Sequence, residues 1–139
     1  MKLRALVYSS KGKLHTLASD IVGKYASDTA NSYDKIPPAY SCNKERLVVI
    51  VASVGKTVDS ALERFLKELT KERANNVAFV VDGPVDGAQA MKKLVSEAGA
   101  NVIDEVLFVK GGLPFLKGVK PEEKAAAFEW VDRIVPQMV

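Results

Sequence analysis

The sequence holds one cysteine, one histidine and one tryptophan, and aromatic residues make up only 7% of it. The single thiol, Cys42, has no partner for an internal disulfide, which points to a reducing compartment. HExxH, GxSxG, GxGxxG and paired-cysteine motifs are all missing, so metalloprotease, serine hydrolase, dinucleotide and zinc readings fail. No apolar run reaches the roughly 18–20 residues of a membrane span. No signal-peptide core precedes the first strand-like segment, so a cytoplasmic protein is expected. The formal charge is only +3, with acids interspersed among the lysines, and no basic stripe carries aromatics. A nucleic-acid footprint is therefore not indicated.

What is present is a sequence of 139 residues, 47% hydrophobic and 27% charged, the balance of one globular domain spanning 1–139. Four apolar runs read as strands buried on both faces: Leu3 to Tyr8, Arg46 to Ala52, Asn76 to Val81, and Val106 to Val109 with a start as early as Val102. Helical stripes lie between them. Leu14, Leu17, Ala18, Ile21, Val22 and Tyr25 form the first, and Leu62, Phe65, Leu66 and Leu69 the second. Asp59 or Ser60 is placed to cap that second helix, with Glu63 completing a capping box on Ser60. A third helix carries Ala90 to Ala98 and stops at Gly99; a fourth opens at Pro121 and ends at Pro136.

The alternation implies parallel strands joined by right-handed crossovers, an open doubly wound α/β sheet. One segment breaks the pattern. Ala26 to Cys42 is polar and interrupted by Pro37-Pro38, so at best Ser32 to Ile36 forms a short edge strand.

Ligands of such sheets bind beyond the carboxyl ends of the strands. Four turns build that edge here: Ser9 to Lys13, Ser53 to Thr57, Asp82 to Gly87, and Lys110 to Gly118. In the first, Ser9 and Ser10 offer hydroxyls, Gly12 permits close approach, and Lys11 and Lys13 add positive charge at a helix start, a combination that suits an anion. "SVGKT" (Ser53 to Thr57) lacks the first glycine and spacing of a Walker motif. Asp82 and Asp86 find no third ligand nearby for a metal. His15 reads as a solvated surface histidine, and Tyr25 and Trp130 as packing residues. A receiver domain needs acids where this chain has Tyr8-Ser9-Ser10 and an acceptor Asp where it has Ala52-Ser53-Val54.

The opening "ALVYSSKGKLHTLASDI" resembles the start of the flavodoxin family, whose turn after the first strand reads Ser/Thr-x-Thr-Gly-x-Thr. The similarity in element order covers the whole chain, and "RLVVIVASVGKTVDSALERFLKEL" is similar to the family's third strand, ring loop and following helix. The resemblance implies a three-layer α/β/α sandwich with a five-stranded parallel sheet of order 2-1-3-4-5. It also implies an FMN site formed by Ser9, Ser10, Lys11, Gly12, Lys13 and Leu14 around the phosphate. Ser53, Val54, Gly55, Asp82 and Gly83 would lie around the ring. The chain departs from the pattern in three places. The central threonine is deleted and Leu14 stands at the last one; neither ring loop has an aromatic residue; and the net charge is positive where flavodoxins are acidic.

Two functions follow as expectations. One is an FMN-binding electron carrier that docks a redox partner protein, in which the flavin performs the chemistry and no side chain is catalytic. The other is a flavodoxin-like domain without FMN, serving as a small-anion or protein-binding module. A reductase with its own substrate finds no substrate site in the sequence.

Overall fold

The computed structural model describes every residue from Met1 to Val139. In chain order the elements are β1 (Leu3–Tyr8), α1 (Gly12–Tyr25), β2 (Tyr33–Lys35), β3 (Glu45–Ser53), α2 (Ser60–Leu66), β4 (Ala74–Asp82), α3 (Val85–Ala98), β5 (Asn101–Val102), β6 (Leu107–Phe108) and α4 (Pro121–Ile134), followed by a 3-10 turn over Val135–Gln137. Every strand pairing is parallel, and the order is β2-β1-β3-β4-β5. This is the doubly wound order read from the sequence, and it is compatible with a flavodoxin-like topology.

Alternation along the strands sorts side chains into two cores. Leu3, Ala5 and Val7 of β1 join Leu47, Val49 and Val51 of β3 beneath α1 and α4. Leu6, Val48, Ile50 and Ala52 face the opposite way, beneath α2 and α3. Trp130 of α4 is fully buried in the first core, with its indole N–H on the Glu105 carbonyl at 3.0 Å. Tyr25 closes the seam between α1 and α4, donating to Asp132 at 2.8 Å.

Three local expectations are corrected. The last strand is two pieces, β5 and β6, both on β4, because the chain leaves the sheet between Ile103 and Val106. No side chain caps α2: Asp59 stands at the N-cap but accepts the Tyr8 hydroxyl at 3.2 Å, and Ser60 is already the first helical residue, so it cannot cap with Glu63. Helix α3 begins at Val85, five residues before the first stripe residue, so Asp86 and Gly87 belong to its first turn and not to a loop. No helix joins β2 to β3. Residues 36–44 pass over the second core as a loop, anchored by buried Ile36 and Cys42.

No helix is long and apolar enough to cross a membrane.

Candidate functional site

The carboxyl ends of β1, β3 and β4 bring Ser9, Ser53 and Asp82 together, as the topology requires. Ser9 Oγ lies 2.7 Å from Ser53 Oγ, and Ser53 Oγ lies 3.0 Å from Asp82 Oδ2. Each hydroxyl has one hydrogen, and a carboxylate only accepts, so the chain has one direction. Ser53 donates to Asp82, Ser9 donates to Ser53, and the Lys11 amide donates to Ser9 Oγ at 3.0 Å. The Lys11 ammonium reaches across to Asp82 Oδ2 at 2.6 Å. Both hydroxyl hydrogens thus point inward, toward the carboxylate.

Asp82 is the electrostatic centre. Burial pushes its carboxyl up, but the Lys11 ammonium, the Ser53 hydroxyl and the Gly111 amide outweigh that and hold it below the usual carboxylate range. The buried Gly111 makes room for this: a Cβ there would meet Asp82 Oδ2 at 2.5 Å and Lys11 Cδ at 2.4 Å.

The Lys110–Gly118 loop lies over the start of α1. The Gly12 amide, one of the orphan donors of the first turn, donates to the Pro114 carbonyl at 3.1 Å. A Cβ on Gly12 would come within 2.6 Å of Lys117 Cγ and 3.3 Å of the Leu116 carbonyl oxygen. Two backbone carbonyls of this loop therefore stand at the helix start, where the sequence placed an anion. Leu113, Phe115 and Leu116 turn outward, with Phe115 75% exposed.

The other turn residues separate. Ser10 is exposed and outside the hydroxyl chain. Lys13 pairs with Glu123 of α4, whose carboxyl that contact holds low. Leu14 is fully buried in the first core, so it is a packing residue of α1. His15 does not float in solvent: its Nε2 faces the Ser9 carbonyl at 2.9 Å and its Nδ1 faces the Tyr33 hydroxyl at 2.5 Å. Since a carbonyl only accepts, His15 donates its Nε2–H to Ser9. Its Tyr33 partner comes from β2, a strand the sequence barely marks, and that made this placement hard to read.

The two loops assigned to a flavin ring lie directly on each other. The Val54 amide donates to the Asp82 carbonyl at 3.0 Å. A Cβ on Gly83 would lie 2.1 Å from the Val54 carbonyl oxygen, and one on Gly87 would lie 2.2 Å from that of Gly55. Backbone meets backbone where a ring would have to enter. The helix start thus holds the Pro114 carbonyl, and the Ser53–Thr57 and Asp82–Gly87 segments approach each other through their backbones.

Comparison of the chain with protein-family models, with curated proteins and with solved structures finds no match.

Proposed function

We propose that this flavodoxin-like domain is a protein-interaction module whose binding edge is the carboxyl end of its sheet, and that FMN is not its resident cofactor. The observation that carries the reading is the Pro114 carbonyl on the Gly12 amide, because it puts a segment of the chain itself where an anion would bind. Three further features support it. The Ser9 and Ser53 hydroxyls serve Asp82 instead of a ligand. The ring loops are in backbone contact and lack aromatic residues. The covering loop presents Leu113, Phe115 and Leu116 to the outside, beside exposed Lys110 and Lys117. Apolar side chains ringed by cations suit a partner surface that is apolar at its centre and acidic at its rim.

The competing reading, an FMN carrier, draws on the Ser9–Lys13 turn at the start of α1 and requires the Lys110–Gly118 loop to withdraw. Absorbance of the purified protein and an FMN fluorescence titration separate the two. Colourless protein with no quenching of added FMN is expected. Stoichiometric flavin in the isolated protein would overturn the proposal.

A further inference from the structure

The Lys110–Gly118 loop is held at its two stems and barely between them. At the first stem the Val109 amide donates to the Val81 carbonyl at 2.9 Å. At the second, Val119 packs against the first core, as Val109 does. Between the stems, residues 112–118 are all exposed, and none of them belongs to an ion pair. Their one backbone hydrogen bond to the rest of the chain is the bond from the Gly12 amide to Pro114; the other, from the Leu116 amide to Leu113, is internal. Gly111 behaves differently. It is buried, and its missing Cβ lets it sit between Lys11 and Asp82. Its neighbour Gly112 has φ 70°, the left-handed region that glycine adopts without strain.

A segment with no buried side chain and one hydrogen bond to the body opens far more readily than the sheet unfolds. We propose that residues 112–118 are a lid that turns about Gly112 and opens as a unit while the sheet stays folded. Gly111, seated against Asp82, is the fixed side of the hinge. Closure is specific, so the lid has a defined shut position. It needs the Pro114 carbonyl on an amide that α1 leaves orphaned. It also needs the bare Cα of Gly12, because Lys117 Cγ and the Leu116 carbonyl fill the room a side chain would take. Opening uncovers the first turn of α1, next to the Ser9–Ser53–Asp82 chain. Which position a docked partner selects rests on the function proposed above; the opening itself does not.

The test is native-state hydrogen exchange of the whole chain, followed by ¹H–¹⁵N NMR at rising urea below the unfolding transition. The Gly12 amide should be protected, yet exchange at least about a hundredfold faster than the Val49 and Ile50 amides of the central strand. Its rate should be nearly independent of urea, because a local opening exposes little surface. Gly12→Ala keeps a good helix former in α1 and sets a Cβ against Lys117 and the Leu116 carbonyl. Corrected for its intrinsic rate, the residue-12 amide should then exchange about tenfold faster, the loss of one hydrogen bond, while Val49 and Ile50 stay slow. Phe115→Ser, whose side chain is outside these contacts, should leave the Gly12 rate unchanged, so loss of docking and loss of the lid are read apart. A Gly12 amide with no protection, one with the urea dependence of Val49, or one unaffected by Gly12→Ala would overturn the lid.

Discussion

The Lys11 ammonium and the Asp82 carboxylate lie 2.6 Å apart, joining the turn after β1 to the end of β4 across the intervening β3. Both side chains are largely covered, at 31% and 16% exposure, so the pair is screened less than a surface bridge. Lys11→Met should destabilise the fold by about 1–3 kcal/mol at neutral pH. The pH dependence has a definite sign. Asp82 is held below its ordinary value in the fold, so its stabilisation is present above the unfolded pKa of about 3.9 and is lost as pH falls through the depressed value. Urea unfolding between pH 7 and 3 should show the gap between Lys11→Met and the wild type narrowing below about pH 4.

Gly87→Ala places a Cβ 2.2 Å from the Gly55 carbonyl oxygen and 2.7 Å from Val54 Cγ2. The backbone at Gly55 must move for it to fit. A loss of about 1–3 kcal/mol in denaturant unfolding is expected. Gly23→Ala, with open space at its Cβ, is the control and should not destabilise the fold.

Tyr25 should be the last tyrosine to ionise. Burial, then the hydrogen bond to Asp132 and the charge of that carboxylate, push its phenol up to about 12. A raised folded value means that its stabilisation is complete below pH 10 and fades as pH rises through about 12. Ultraviolet titration of the wild type against Tyr25→Phe checks this directly. The same substitution should cost about 1 kcal/mol at neutral pH.

Trp130 is the sole tryptophan and is fully buried between α4 and the sheet. Its emission should be blue-shifted in the native state and move red in one step on unfolding. Trp130→Ala should cost about 3–5 kcal/mol, the range for emptying a large aromatic site.

Phe115 separates binding from folding. Being 75% exposed, Phe115→Ser should change stability by no more than about 0.5 kcal/mol. A photo-crosslinking side chain at position 115 should yield one adduct of discrete mass with a partner protein. A featureless smear, or only intramolecular products, would count against docking at this loop.

The parallel sheet was legible because β1, β3 and β4 are buried on both faces and therefore read as unbroken apolar runs. β5 and β6 have two residues each, too short for any periodicity to register, so they merged into one expected strand. The cap at Asp59 was misread for a different reason. Its side chain had two possible partners, and the Tyr8 hydroxyl, 51 positions away, competes with a local amide that spacing alone can see. At the site, the departures from the flavodoxin turn were visible in the letters. That the hydroxyls face Asp82 was not, because it depends on β1, β3 and β4 ending level with one another.

The loop that crosses the start of α1 also alters what any future ligand experiment measures. Pro114 is covalently tethered to the amide that it occupies, so it behaves as a competitor whose local concentration no dilution or dialysis reduces. An anion's observed affinity at Gly12 is its intrinsic affinity multiplied by the fraction of molecules with the loop lifted. A partner that pulls on Leu113, Phe115 or Leu116 would raise that fraction, and so would make the helix start receptive without touching it.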